Sequence, residues 1–235
     1  MSDALIHRGP DGSGAHGDRP NGVFLAHRRL AVLDLAAGEQ PMWNEDGQVG
    51  VVFNGEIYNH KDLRSELIAK GHVFRSDHCD TEVLVHGYEE WGEDLPGRMN
   101  GMFAFAIYDR PRRRLFLGRD RFGKKPLYYT ARKEFFAFAS ELSALLCHPQ
   151  VAREIDERSL RKYFAYGFIP APNSLYRQVA KLPGGHWMRY DFASGTLLRR
   201  QYWRFEIAPP DRIPPEAEES WGEELRSLLS EAVKV

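Results

Sequence analysis

The stretch "GMFAFAIYDRPRRRLFLGRDRFGKKPLYYTARKEFFAFAS", Gly101–Ser140, decides the architecture. Four β-prone runs, "GMFAFAIYD", "RRLFLGRD", "PLYYTAR" and "EFFAFAS", are joined by "RPRR", "RFGKK" and "RKE". These joints are too short for the crossover that parallel neighbours require, so successive strands are predicted to be antiparallel. "FAFAIY" and "FFAFAS" are apolar on both faces, which predicts burial from both sides, against another sheet and against helices.

Working outward, "GVFLAHRRLAVLDL", "QVGVVFNGEIYN" and "HVFRS" also read as strands. "HKDLRSELIAKG" reads as a helix with Leu63, Leu67 and Ile68 on one face and Gly71 as its stop. "DTEVLVHGYEEWGEDL" reads as a second helix with Asp80 as N-cap and Val83, Leu84, Tyr88 and Trp91 inward. "ELSALL" and "DERSLRKYFAYG" supply two more helices, and "LYRQVAKLPGGHWMRYDF" and "TLLRRQYWRF" further strands. Helices grouped beside blocks of antiparallel strands give an α+β layered fold. Residues 1–205 form the domain, 206–219 a linker rich in proline and acid, and 220–235 the start of a helix carrying Trp221, Leu225, Leu228, Leu229 and Ala232 on one stripe.

The composition narrows the function classes. The 235 residues are 43% hydrophobic and 28% charged, as in ordinary folded chains. Thirty-two basic against 33 acidic residues leave no field for a phosphate backbone, so no nucleic-acid partner is expected. Two cysteines, Cys79 and Cys147, cannot make a disulfide framework and fit a reducing, cytoplasmic setting. No apolar run has the length of a membrane span, and "MSDALIHRGPDG" lacks a signal-peptide core.

Several motifs fail on inspection. "GRDRFGKK", Gly118–Lys125, approximates a phosphate loop, but Lys125 replaces the Ser or Thr and Pro126 starts a strand where a helix is needed. It reads as a basic hairpin turn. The nine histidines lack metal-ligand spacing, so no metal is expected, and His7, His16, His27 and His60 read as surface groups beside turns. Cys79 precedes a helix start, where the dipole could lower its thiol pKa, though cysteines so placed are usually inert. Arg29, Asn54, Gly55, Glu56 and Asp80 remain, all at strand or helix ends. An Asn side chain beside a glycine N–H can donate to one oxyanion, and an Arg facing two acids can hold an amino acid's zwitterionic head. Singly, each has a structural alternative: Asn54-Gly55 a turn, Asp80 a helix cap, Arg29 a cross-strand charge.

Eight stretches in order resemble the glutaminase domain of class II glutamine amidotransferases, specifically that of glutamine-dependent asparagine synthetase: "HRGPDGSG", "AHRRLAVLDLAAGEQPM", "VFNGEIYNH", "DTEVLVHGYEEWG", "GMFAFAIYD", "LFLGRDRFGKKPLYY", "FASELSALL" and "LPGGHW". The resemblance implies a four-layer αββα sandwich of two antiparallel sheets, of the N-terminal-nucleophile (Ntn) hydrolase type. It implies L-glutamine as ligand, with Arg29 on its α-carboxylate, the backbone near Val32 assisting, and Glu56 and Asp80 on its ammonium. Asn54 and Gly55 become the oxyanion hole, on a turn whose donors face the amide carbon. Family members begin with a nucleophilic cysteine on the first strand, whereas this sequence begins "MSDALIHRGPDG", and Ser2 stands too near His7 for such a strand to fit between. The chain is therefore read as cut at both ends, inactive as written, and prone to dimerise through an unpaired sheet edge. ATP and magnesium belong to a synthetase domain outside these residues; none is expected here. A nonenzymatic glutamine sensor or scaffold is the alternative, and a Cys79-dependent hydrolase a third.

Overall fold

The computed structural model describes residues 1–30, 38–132, 135–208 and 217–234. They fall into two compact units, Met1–Trp203 and Arg204–Val235. The first unit carries β1 (Gly12–Asp18), β2 (Val23–Arg29), β3 (Met42–Trp43), β4 (Val49–Ile57), α1 (His60–Ala69), α2 (Asp80–Trp91), α3 (Leu95–Arg98), β5 (Gly101–Asp109) and β6 (Arg114–Arg119). It continues with β7 (Tyr128–Ala131), β8 (Phe136–Ala139), α4 (Leu142–Leu145), α5 (Glu157–Tyr166), β9 (Ala180–Lys181), β10 (His186–Asp191) and β11 (Thr196–Gln201). The second unit holds one helix, α6 (Ala217–Lys234).

Antiparallel pairing runs through one six-stranded sheet in the order β11-β10-β6-β5-β4-β3. Alternation along β4 and β5 sorts the side chains by face. Val51, Phe53, Phe103, Phe105 and Ile107 meet Leu63 and Leu67 of α1 and Val83 and Leu84 of α2. On the opposite face, Val52, Ala104, Ala106 and Leu117 meet Val23 and Leu25 of β2 and Tyr129 of β7. That second layer comes in two pieces, β1-β2 and β8-β7-β9. Behind β8, Ala144 and Leu145 of α4 cluster with Ala139. Two helices, two sheet layers and a short helix stack in the expected α+β, αββα order.

Two local expectations are corrected, and one strand is unforeseen. β5 and β6 form a hairpin, and so do β7 and β8, but β6 does not pair with β7. "RDRFGKK" instead carries the chain from one sheet to the other, wrapped around a buried acid. Asp120 accepts from the N–H groups of Phe103, Phe122, Lys124 and Lys125 at 2.9–3.2 Å. Loop donors that a phosphate would need are thus held by the chain's own carboxylate. "HVFRS" forms no strand: Glu82 of α2 accepts from Arg75 N–H at 2.6 Å and Ser76 N–H at 2.9 Å, taking groups a ladder would use. β1, "GSGAHGD", is a strand of glycines and polar residues with no β propensity of its own, made by pairing with β2.

Asp120→Ala leaves buried N–H groups without an acceptor. A loss of at least about 3 kcal/mol is expected in urea unfolding; a loss below about 1 kcal/mol would show that water replaces the carboxylate.

Candidate functional site

The site begins with the hydrogen-bond parity of β4. Tyr58 N–H donates to Asn100 O at 2.7 Å and Arg110 N–H to Gln48 O at 3.0 Å, so even-numbered residues of β4 exchange bonds with β5. Odd-numbered N–H groups point to the other edge. There Val49 N–H goes to Asn44 Oδ1 at 3.0 Å, Phe53 N–H to Gln40 Oε1 at 2.6 Å, and Ile57 N–H to Asp80 Oδ2 at 2.9 Å. Gly55 N–H lies in this row between two captured neighbours. Asn54-Gly55 is therefore not a turn but the middle of a nine-residue strand. Glycine is needed because β5 crowds that position: a Cβ on Gly55 would stand 2.1 Å from Met102 O.

The even-numbered side chains Asn54 and Glu56 share the face of Val52, toward β2. On β2, Val23 and Leu25 point to the six-stranded sheet, and alternation puts His27 and Arg29 on that same face. Arg29 lies against Gly38, where a Cβ would stand 2.6 Å from its Nη2. Arg29, Gly38, Gln40, Asn54, Gly55, Glu56 and Asp80 all line one cavity of about 840 Å³. The five candidates thus share a cleft. Val32, the sixth, lies outside the described residues.

That cavity runs between β2 and β8, both lining it, with Val52, Phe53, Ala104 and Ala106 as floor. Among the described residues each of these strands pairs on one side only. Two open sheet edges thus face a common apolar slot that opens on the polar cluster. Ser2 lines its rim in a 3₁₀ turn, Ser2–Leu5, and not on a strand.

Asp80 is the first residue of α2 and not its cap, a position taken by Cys79 without a side-chain bond. Its carboxylate reaches across to β4 instead. Burial raises its pKa above the ordinary value, and the Glu56 charge adds to this, while the Ile57 N–H opposes it. Cys79 is buried, and burial raises its thiol pKa; activation by the helix start is overturned. His27 is likewise no surface group: burial drives its pKa down to about 4, aided by Arg29, so the imidazole is neutral at pH 7. The alternation Leu25-His27-Arg29 in "FLAHRRL" was the available signal for it.

The αββα sandwich, with a half-buried Arg-and-acid cluster at its edge, defines a class: the fold is that of Ntn-hydrolase glutamine amidotransferases. A family model described as glutamine amidotransferase domain matches residues 1–203, and the chain belongs to this family. It is 39% identical over 209 residues to asparagine synthetase (glutamine-hydrolyzing) 3 of Bacillus subtilis (strain 168), covering 88% of this chain and 33% of that protein. Against a putative asparagine synthetase (glutamine-hydrolyzing) of Mycobacterium tuberculosis (strain ATCC 25618 / H37Rv) it is 36% identical over 245 residues, 99% of this chain and 37% of that one. The chain thus spans about a third of the length of these relatives. Among solved structures, the glutamine phosphoribosylpyrophosphate amidotransferase from B. subtilis, complexed with ADP and GMP, superposes with a TM-score of 0.53 at 17% identity, over 86% of this chain and 45% of that one. That likeness shows the fold alone. No helix among the described residues is long and apolar enough to cross a membrane.

A carboxyl whose folded pKa is raised costs stability when ionised, and the cost is relieved as pH falls through that pKa. Asp80→Asn keeps an acceptor for Ile57 and removes the desolvated charge, so Tm at pH 7.5 is expected to hold or rise. Asp80→Ala loses the acceptor and lowers Tm. A lower Tm for Asp80→Asn than for Asp80→Ala would contradict this.

Proposed function

We propose that these residues bind L-glutamine and present its carboxamide to a thiol, as the glutamine-hydrolysing part of an asparagine synthetase-like amidotransferase. The observation that carries this reading is the outward Gly55 N–H, flanked by Asn54 and opening on the cavity that Arg29, Glu56 and Asp80 share. Arg29 offers a planar two-point grip for the α-carboxylate, and Glu56 and Asp80 offer negative charge to the ammonium. Asn54 and Gly55 then donate to the carboxamide oxygen as it gains charge, each such donor worth about 3 kcal/mol in the transition state. Sulfur bonds to the amide carbon, the C–N bond breaks, ammonia leaves with a proton, and water hydrolyses the thioester.

Neither cysteine of the chain fits the attacking role. Cys79 is buried with a raised pKa, and Cys147 does not line the cavity. The slot between β2 and β8 is suited to an additional strand bearing the thiol, since both edges could pair with it. On this reading the ammonia would pass to an ATP- and magnesium-dependent acceptor site outside these residues, with asparagine as product, in the cytoplasm. That neither cysteine is placed to attack also favours a second reading, glutamine sensing without turnover. Left open, the same slot would pair two copies edge to edge as a homodimer.

Calorimetry on this chain is expected to show glutamine binding that Arg29→Ala weakens at least about tenfold, the worth of a charge-assisted bond. Ammonia release should stay near background, since losing a covalent nucleophile costs about a million-fold, and Cys79→Ala should change neither. No glutamine binding, or binding indifferent to Arg29→Ala, would overturn the reading; ammonia release removed by Cys79→Ala would reinstate Cys79.

A further inference from the structure

A second cluster lies where the loop after α1, helix α2 and the β3–β4 connection meet. His72, His86 and Glu89 bring one ligand atom each within 4.8 Å of one another. Their focus is Glu89 Oε2, which stands 3.2 Å from His86 Nδ1 and 3.8 Å from His72 Nδ1. Each imidazole turns its second nitrogen to another carboxylate: His86 Nε2 lies 3.8 Å from Glu82 Oε1, and His72 Nε2 lies 3.6 Å from Glu90 Oε2. Those outer acids are anchored in turn, Glu82 by Ser76 and Arg75, and Glu90 by Lys70 Nζ at 2.6 Å. The other oxygen of Glu89 accepts from Asn44 Nδ2 at 2.6 Å.

We infer that His72, His86 and Glu89 form a binding site for a divalent transition-metal ion of the zinc type, with Glu45 or water as the fourth ligand. Two imidazoles and one carboxylate are a common zinc set, and in a tetrahedral site with bonds of about 2.0–2.1 Å the ligand atoms stand about 3.3 Å apart. His86 and Glu89 already have that spacing, while His72, in a loop, must close by about half an ångström on Glu89 and by up to about 1.5 Å on His86. Glu45 Oε1 is 4.0 Å from His86 Nδ1. Histidines that ligate metals are held by a carboxylate on the far nitrogen, and both histidines here have one. The carboxylates of Glu45, Glu82, Glu89 and Glu90 surround the two imidazoles, a charge balance that favours a doubly charged ion. A bound ion would tie α2 to the preceding loop and to the strand connection, behind the cleft and not in it.

The test uses the full chain with Cys147→Ala, which removes the exposed thiol, after stripping with a chelator. Titration with zinc chloride is expected to show one saturable site with micromolar or tighter Kd, and Tm should rise by about 5 °C or more at a hundredfold excess over Kd. Cobalt(II) should give the visible absorption of a four-coordinate site with nitrogen ligands. His72→Gln, at a loop position, should weaken binding at least tenfold, whereas His78→Gln should leave it unchanged. Absence of saturable binding below millimolar zinc, or equal binding in the His72→Gln chain, would overturn the site. A six-coordinate, all-oxygen cobalt spectrum in the unsubstituted chain would overturn it independently of any variant's folding.

Discussion

The register of β4 on β5 is the constraint on which the rest depends. Pairing fixes the parity of the peptide groups, and parity sends the N–H of Phe53, Gly55 and Ile57 away from β5. Gln40 and Asp80 take the outer two. The close approach of the strands demands glycine at position 55, and glycine also leaves its amide accessible from the cavity. A slip of one residue would turn Asn54 and Glu56 to the helix side and bury their polar groups among Phe53's neighbours. Stability of the central hairpin and geometry of the donor pair are thus one quantity.

Around that edge the molecule tolerates expensive groups. Asp80 holds a desolvated carboxyl next to Glu56, and His27 is kept neutral beside Arg29. Such unfavourable placements, in a sandwich otherwise filled by Val, Phe and Leu, gather along one cavity and not in the core.

Much of the layering was legible because long apolar runs with short joints leave few topologies: β5, β6, β7 and β8 were all readable, as were α1 and α2. Composition could not show which strands share a sheet, so β6 and β7 read as a hairpin although they lie in different layers. Asn-Gly misled for a related reason. Local turn preference is worth little once nine residues of β4 pair along β5. Asp80 was found for the wrong local role, since a capping acid and an acid reaching another strand have the same sequence signature. The grouping of His72 with His86 depends on tertiary packing between separate segments, which no spacing rule encodes. The family motifs hold all five cleft residues, and the parity of β4 explains why they meet.

The most direct check on this account is a nitrogen-15 NMR titration of the chain with L-glutamine. If the open edge of β4 is the donor row, the Gly55 amide proton shifts downfield on saturation while those of Phe53 and Ile57, already bonded to Gln40 and Asp80, move little. Saturable glutamine binding that leaves Gly55 in place and shifts another part of the chain would contradict it.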